Sequence, residues 1–137
     1  MRSPIAPTST VLYVEDETLN RELMRSIFRL RPALRLVEAR LGADAIEMVE
    51  QENPDLILLD RNLPDMNGEE VLRRLRSRAE TLHTPVIIIS GDTGRPQSKE
   101  EELGVLGYVT KPYNIVALLA KIDAVLGMAE AQPPTSD

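Results

Sequence analysis

The stretch Leu56-Ile57-Leu58-Leu59-Asp60 is an uninterrupted aliphatic run that ends in one carboxylate. A run this short and this apolar is typical of a strand buried on both faces of a parallel sheet. Four further runs predict the other strands of such a sheet: Val11 to Val14, Leu34 to Ala39, Val86 to Ile89 and the short pair Tyr108-Val109. The sequence therefore predicts five strands with helices packed on both sides.

Segments with helical spacing alternate with these runs. In the first segment, aliphatic residues recur every three or four positions and predict an amphipathic helix. Its expected apolar face is Leu19, Leu23, Ile27 and Leu30, with Arg21, Arg25 and Arg29 opposite. The last segment predicts a helix that Gly127 closes as a C-cap, with one apolar stripe: Ile115, Leu118, Leu119, Ile122, Val125 and Leu126.

The middle helices are marked less strongly. Two short apolar clusters indicate the second and third helices: Ala45, Ile46 and Val49, then Val71, Leu72 and Leu75. Asn67 is the expected N-cap of the third helix, with Glu70 three positions on. The segment from Gly91 to Glu102 contains no aliphatic side chain, so we expect a fourth helix that is short or mobile. Five βα units with right-handed crossovers make an α/β fold, an open three-layer αβα sandwich.

The composition is that of an ordinary globular domain. The 137 residues include 22 acidic and 16 basic side chains, and the formal net charge of −6 argues against a surface that coats nucleic acid. The absence of cysteine excludes disulfide scaffolds, thiolate zinc sites and cysteine nucleophiles. The apolar runs are too short to span a membrane. We therefore expect a cytoplasmic protein with one domain at 10–127, between flexible tails at 1–9 and 128–137.

Acidic, hydroxyl and amino side chains stand directly after four of the predicted strands. They are Glu15-Asp16-Glu17, Asp60, Ser90 and Thr110-Lys111-Pro112. Each has a plainer explanation when taken alone: a helix start, a turn, a loop hydroxyl and a solvated lysine. Open parallel sheets, however, bind their ligands outside the carboxyl ends of the strands. The joint occurrence of these groups there favours a functional site.

Five pieces of the chain, taken in order, carry a resemblance to a known family. They are Val11 to Glu17, Leu56 to Asp60, Leu63 to Gly68, Ile89 to Gly91 and Gly107 to Pro112. Each piece is weakly specific alone, but together they resemble the receiver domain of two-component response regulators, over nearly all of 10–127. The resemblance implies a flavodoxin-like receiver fold with strand order 2-1-3-4-5.

The resemblance also implies what the acidic residues do. Asp60 would be the phosphoacceptor, which takes a phosphoryl group from a phosphohistidine of a partner. Mg²⁺ (or Mn²⁺) would be bound by Glu15, Asp16 and Asp60 together with the backbone carbonyl of Asn62. An ion with oxygen ligands relieves the repulsion between crowded carboxylates. Glu15 stands where the commonest family pattern has Asp, so it is expected to bind the ion directly or through a water.

The remaining strand-end residues take roles toward the phosphoryl group by the same resemblance. Lys111, Ser90 and Gly91 would contact its oxygens, since phosphoryl transfer depends on positioning and charge stabilisation. Ser90 and Tyr108 would form the switch, with Tyr108 rotating inward after phosphorylation; the plainer alternative is a half-buried strand residue. The family has a cis bond at the position of Pro112.

Asn62 and Asp92 stand where the family tunes the rate of phosphoryl loss. The expected partners are a histidine kinase or phosphotransfer protein and a downstream protein, with no direct nucleic-acid or membrane contact. The family's output face is formed by the fourth helix, the fifth strand and the last helix, and it could also form a homodimer. The short tails leave the signal to pass through a partner surface. A stand-alone regulator and a receiver from a hybrid kinase both remain open.

Other classes of protein fit the sequence less well. In a haloacid-dehalogenase-like phosphatase the nucleophile follows the first strand and has a second Asp two positions on, whereas Asp60 follows the third strand. A nucleotide or flavin site needs a glycine-rich turn where Glu15-Asp16-Glu17 stands. The joint presence of Asp16, Asp60, Ser90 and Lys111 argues against a pseudo-receiver that no longer takes phosphate. The basic run Arg73, Arg74, Arg76 and Arg78 is interpreted as a solvated helix face or kinase-docking charge, and His83 as a loop residue.

Overall fold

A computed structural model describes residues 9–91 and 98–127 of the chain. Strands and helices alternate along it: β1 (Ser9–Val14), α1 (Thr18–Phe28), β2 (Leu34–Ala39), α2 (Gly42–Glu52), β3 (Leu56–Asp60), α3 (Gly68–Arg76), β4 (Val86–Ser90), α4 (Ser98–Glu102), β5 (Val105–Thr110) and α5 (Ile115–Leu126). A single 3₁₀ turn, Ala79–Thr81, lies between α3 and β4. Within the described ranges, no helix is long and apolar enough to cross a bilayer.

The five strands form one parallel sheet in the order β2-β1-β3-β4-β5, which confirms the predicted topology. Neighbouring strands end level with one another. Val14 is opposite Leu59, Asp60 is opposite Ile89, and Ser90 is opposite Thr110. Because the strand ends are level, the residues that follow them meet at one edge of the sheet.

The apolar side chains form two cores, one on each face of the sheet. Alternate residues of the central strands point to opposite faces, as the pleat of a strand requires. One core joins the sheet to α1 and α5 through Met24, Ile27, Phe28, Leu118, Leu119 and Ile122. The other joins it to α2 and α3 through Ala45, Ile46, Val49, Val71, Leu72 and Leu75. This arrangement is the predicted three-layer sandwich.

The predicted core face of α1 is wrong. Three of its four members are largely exposed: Leu19 at 74%, Leu23 at 44% and Leu30 at 59%. The residues that α1 buries against the sheet are Met24, Ile27 and Phe28. These also have a spacing of three and four residues, so the sequence period supports both faces and does not decide between them.

Arg21, a member of the predicted polar face of α1, is buried. Its guanidinium donates to the backbone carbonyl of Glu15 at 3.0 Å and to the Thr18 hydroxyl at 3.3 Å. The residue that follows β1 thereby gains a donor for its carbonyl. This polar contact fixes the rotation of the helix about its axis, and a count of apolar residues cannot detect it.

Several element ends match the sequence signals. The side chain of Asn67 accepts from the Glu70 N–H at 2.9 Å as the N-cap of α3, and Gly127 ends α5. α4 has five residues, which confirms the expectation of a short helix. β1 begins at Ser9, one residue before the predicted start of the domain. The tails at 1–8 and 128–137 lie outside the described residues.

The basic run of α3 is not one solvated face. Arg73 and Arg74 are exposed and pair with glutamates one turn earlier in the helix. Arg76 is only partly exposed and donates to the backbone carbonyls of Leu103, Thr81 and Thr84 at 2.8 Å each. Arg76 therefore acts as a structural donor to three loop carbonyls.

The corrected face of α1 predicts unequal costs for two substitutions in one helix. Met24→Ala should lower the free energy of unfolding by about 2–5 kcal/mol, because it opens a cavity in a closed core. Leu19→Ala should change it by no more than about 0.5 kcal/mol, because that side chain is largely solvated. Urea denaturation followed by circular dichroism measures both. Equal costs would contradict the observed face.

Candidate functional site

Glu15 is the most enclosed carboxylate of the site. Its side chain is 0% exposed, and both of its oxygens have partners. Oε1 accepts from the Lys111 ammonium at 2.8 Å and from the Tyr13 hydroxyl at 3.2 Å, while Oε2 accepts from the Glu17 N–H at 3.1 Å. A buried carboxylate requires this degree of pairing, since an unpaired buried charge is very costly.

Lys111 joins Glu15 to Asp60. Its Nζ lies 2.8 Å from Glu15 Oε1 and 3.4 Å from Asp60 Oδ2. Asp60, the last residue of β3, is itself nearly buried, and its Oδ1 accepts from the Asn62 N–H at 3.0 Å. Lys111 reaches this position because the backbone N–H of Lys111 donates to the Ser90 carbonyl at 2.8 Å. The Lys111–Pro112 peptide bond is cis.

The charges of this group set the protonation equilibria of the site. Burial works against the ionised Glu15 carboxylate, but the hydrogen bonds from Lys111 and from the Glu17 N–H outweigh it and lower the pKa of Glu15. Burial raises the pKa of Asp60, and the charge of Glu15 adds to that rise against the opposing effects of Asn62 and Lys111. Burial lowers the pKa of Lys111, but its two carboxylate neighbours overcome this and raise it.

Three carboxylates meet at the edge of the sheet. Glu15, Asp16 and Asp60 each offer an oxygen atom within 4.8 Å of the others. A set of only carboxylate oxygens suits a hard divalent cation. These residues could therefore hold a metal ion, as the sequence predicted for all three.

The other predicted site residues lie close to this cluster. Ser90 is the last residue of β4 and is buried, and the register places it one position beyond the residue opposite Asp60. Asn62 stays beside Asp60 through its backbone N–H. A Cβ placed on Gly91 would meet no heavy atom of the described residues within 4 Å, so the folded chain does not by itself demand glycine there. Asp92 lies outside the described residues.

Tyr108 lies on β5 as the half-buried strand residue that the plainer alternative predicted. Its hydroxyl is already buried and has no hydrogen-bond partner among the described residues. Burial and the negative charges of Glu100 and Glu101 raise the pKa of Tyr108 to about 12. The ring packs against the core on the α2–α3 face of the sheet, as a partly buried strand residue does.

Sequence reasoning missed a buried ion pair beside Asp60. Arg61 follows Asp60 directly, and its guanidinium binds the carboxylate of Glu100 through two bonds of 2.8 and 2.9 Å. Arg61 and Glu100 are 3% and 1% exposed. One signal was present in the sequence: a helix without apolar residues needs some other anchor to the sheet.

A second missed contact holds the loop after β3. α2 begins after Leu41, which has no side chain able to cap a helix. Asp65 from the β3–α3 loop takes this role, because its two oxygens accept from the N–H groups of Gly42 and Ala43 at 2.8 and 3.0 Å. The same loop packs tightly there, since a Cβ on Gly42 would lie 2.5 Å from Met66 Cγ.

Comparison with known proteins identifies the family. The model of the response regulator receiver domain matches residues 11–123. The polar-differentiation response regulator DivK of Brucella ovis is 30% identical over 123 residues, which are 89% of this chain and 99% of that protein. Chemotaxis protein CheY-3 of Vibrio cholerae is 30% identical over 116 residues, which are 84% and 89% of the two chains. The chain belongs to the receiver domain family of two-component signalling.

Solved structures share the fold. Chemotaxis response regulator CheY4 of Vibrio cholerae superposes with a TM-score of 0.77 at 26% identity, and covers 86% of this chain and 98% of that one. The receiver domain of a sensor histidine kinase from Pseudomonas aeruginosa gives a TM-score of 0.76 at 24% identity, with 87% and 98% covered. The crystal structure of that receiver domain has a magnesium ion coordinated in its active site cleft.

The Asp65 cap predicts a pH-dependent contribution to stability. Burial is the largest single effect and favours the neutral form, but the backbone N–H groups, those of Ala43 and Gly42 first among them, together outweigh it and lower the pKa of Asp65. A lowered folded pKa gives stabilisation that is complete above the unfolded pKa and is lost as the pH falls through the folded one. Asp65→Asn keeps one acceptor oxygen but removes the negative charge at the start of α2. Because Asp65 is exposed to solvent, the substitution should cost about 0.5 kcal/mol of unfolding free energy at neutral pH. The cost should shrink below about pH 4.

Urea denaturation at several pH values measures this difference. Glu47→Gln is the matched control, because it removes one negative charge from an exposed position of α2. A cost that does not depend on pH, or an equal cost in the control, would contradict a capping role for the ionised Asp65.

Proposed function

We propose that this chain accepts a phosphoryl group on Asp60 from a partner phosphohistidine, with Mg²⁺ bound beside it, and that the modified site switches a partner-binding surface through Ser90 and Tyr108. Membership in the receiver family gives the class of reaction. The observation that carries the assignment to Asp60 is the meeting of Glu15, Asp16, Asp60 and the Lys111 ammonium at one sheet edge.

The transfer needs one nucleophile and several charge-stabilising groups. A carboxylate oxygen of Asp60 attacks phosphorus, a P–O bond forms, and the P–N bond to the donor imidazole breaks. The imidazole then leaves with the electron pair of that bond. Lys111 is 3.4 Å from Asp60 Oδ2, which places its ammonium where a phosphoryl oxygen would carry negative charge. Ser90 and the N–H of Gly91 are the proposed donors to the other oxygens.

Mg²⁺ is the proposed ion, with Mn²⁺ as an alternative that accepts the same oxygen ligands. Glu15, Asp16, Asp60 and the Asn62 carbonyl would hold it. When bound, it supplies positive charge to the phosphoryl oxygens. The magnesium in the active site cleft of the Pseudomonas aeruginosa receiver domain supports this choice. Because Glu15 already pairs with Lys111, Asp16 and Asp60 are the proposed direct ligands, and Glu15 binds directly or through a water.

The phosphodonor has a defined approach to Asp60. A groove of about 340 Å³ between α1 and the start of α5 is lined by Asn20, Leu23, Lys111, Pro112, Tyr113 and Ile115. Leu23 and Ile115 are 44% and 40% exposed there. An apolar helix of a histidine kinase or phosphotransfer protein fits such a groove, and Lys111 at its inner end connects it to the acceptor. We propose this groove as the donor-docking surface.

The proposed output signal is a change in the partner-binding surface. Charge added at Asp60 draws Ser90 toward the phosphoryl group and repositions the residues that follow β4. The output face is α4, β5 and α5, where a downstream protein or a second copy of the chain would bind. The domain promotes only its own phosphorylation and dephosphorylation. A cytoplasmic location without direct nucleic-acid or membrane contact remains the expectation from composition.

Incubation with Mg²⁺ and acetyl phosphate should add one phosphoryl group to the protein, as intact-mass spectrometry detects. Asp60→Ala should abolish the gain, because it removes the nucleophilic carboxylate. Glu47→Gln, which removes an exposed carboxylate of α2 that is not part of the cluster, should keep it. Chelation by EDTA should suppress the reaction in the unmodified chain.

Two results would contradict this function. An unmodified chain that gains no mass under any divalent ion would favour the pseudo-receiver, which uses the fold for docking alone. A mass gain that persists in Asp60→Ala would place the phosphoryl group on another residue.

Asn62 and Asp92 are proposed to set the lifetime of the phosphoryl group. The backbone of Asn62 is held against Asp60, so its exposed side chain stands beside the acceptor. Asp92→Ala should change the rate of phosphoryl loss, because a carboxylate two positions after Ser90 can orient water or pair with Lys111. Decay of the phosphorylated mass after removal of the donor measures this rate. An unchanged lifetime would remove Asp92 from this role.

A further inference from the structure

α4 lacks the apolar face that normally holds a helix on a sheet. Its five residues, Ser98–Glu102, are one serine, one lysine and three glutamates. Glu100 is nevertheless 1% exposed, because its carboxylate receives two hydrogen bonds from the Arg61 guanidinium. Paired bonds of this kind are strong and directional. A polar contact therefore supplies what leucine or valine supplies in the other helices.

The same guanidinium lies over Tyr108. The Arg61 carbon Cζ is 5.8 Å from the centroid of the Tyr108 ring, a distance at which a cation attracts the face of an aromatic ring. The Tyr108 hydroxyl is buried without a partner among the described residues, which opposes the inward position. The contact with Arg61 and the packing of the ring against the core favour the inward position.

The register places Arg61 beside the switch residues. Tyr108 is opposite Ile88 on the neighbouring strand, and Ile88 is opposite Leu59. Side chains two positions apart on a strand share a face, so Ser90 lies on the face of Ile88, and Arg61 continues the row of Leu59. Arg61, Ser90 and Tyr108 therefore occupy one face of the sheet at the edge that holds Asp60.

We propose that the Arg61–Glu100 ion pair is a positioning device that anchors α4 and holds the Tyr108 ring inward before Asp60 is phosphorylated. The Tyr108 ring is then already inward in the unphosphorylated protein, and the ion pair limits how far phosphorylation can move the ring. The meaning of that movement rests on the function proposed above, whereas the anchoring of α4 does not.

Breaking the pair from either side should have the same local effect. Glu100→Gln removes the carboxylate that binds the Arg61 guanidinium, and Arg61→Met removes the guanidinium that binds Glu100, so each releases α4. The double variant Arg61→Met/Glu100→Met replaces both charges by apolar groups. It is used for the same measurements if a single variant does not fold. Glu69→Gln is the matched control, because Glu69 forms a solvated ion pair with Arg73 on α3.

Hydrogen exchange tests the anchoring in the unphosphorylated protein. We expect the amides of Glu101 to Gly104 to exchange at least about tenfold faster in Glu100→Gln and Arg61→Met, because α4 opens without global unfolding. Exchange in the strands β1 and β3 should stay unchanged, and Glu69→Gln should match the original chain throughout. Equal exchange of these amides in all variants would overturn the proposal.

The position of Tyr108 is read by NMR of ring-labelled tyrosine, with the signal assigned through Tyr108→Phe. In the unphosphorylated protein the signal should move in Glu100→Gln and Arg61→Met but not in Glu69→Gln. Met24→Ala weakens the core on the opposite face of the sheet and should leave the Tyr108 signal in place. If the signal only reported a general loss of stability, this variant would move it as well. A Tyr108 signal that ignores loss of the pair would contradict the proposal.

Addition of Mg²⁺ with beryllium trifluoride, a mimic of the phosphoryl group, completes the test. The signal of Tyr108 should shift less in the original chain than in the two variants, because only the variants start with a released ring. A larger shift in the original chain would overturn the holding role. Tyr13 donates to Glu15 and reports on the site itself. No response of the Tyr13 signal in any chain would count against the proposed phosphorylation, and the exchange result would then be the measure of the anchor.

Discussion

The site depends on one ammonium group placed between two enclosed carboxylates. Lys111 binds Glu15 at 2.8 Å and approaches Asp60 at 3.4 Å. Without it, two neighbouring negative charges in a poorly solvated position would repel each other, and one would be driven to take up a proton. The two distances show how the pairing is shared, because the Lys111 ammonium makes a short hydrogen bond to Glu15 and only a long contact with Asp60. Lys111 therefore pairs mainly with Glu15. Asp60 is the carboxylate that more readily binds an additional positively charged group.

This charge arrangement is possible because the apolar part of the fold fixes where the strands end. The central strands are buried along their whole length, and parallel pairing brings their last residues level. The polar loops are then tied down separately. Asp65 caps a helix that has no cap of its own, and Arg21 binds the carbonyl of Glu15 just after β1. The aliphatic core sets the register, and side-chain to backbone bonds hold the loops that carry the site.

The sequence predicted the strands and helices that have a regular residue spacing, and the polar residues that directly follow a strand. Five aliphatic runs, helical spacing and strand-end polar residues were sufficient for the three-layer sandwich and for the meeting of Glu15, Asp16, Asp60 and Lys111, whereas the strand order came from the family resemblance. It could not predict the rotation of α1, because two faces of that helix have the same period and a polar contact of Arg21 decides between them. It also missed the pairing of Arg61 with Glu100, which are 39 positions apart and meet only after the sheet has formed. The local pattern indicates that α4 needs an anchor other than apolar packing, but it does not identify the two residues that form it.

The buried Arg61–Glu100 pair also changes what α4 can be. A helix held by apolar packing can slide or tilt at small cost, since the hydrophobic effect has no preferred direction. A helix held by a two-bond ion pair has a narrower choice, because moving the carboxylate away from the guanidinium leaves two charges poorly solvated. We therefore expect α4 to have two positions, one with the ion pair formed and one with it broken, and no continuous range between them. Because Arg61 directly follows Asp60, the position of the backbone at Asp60 and the anchor of α4 are coupled.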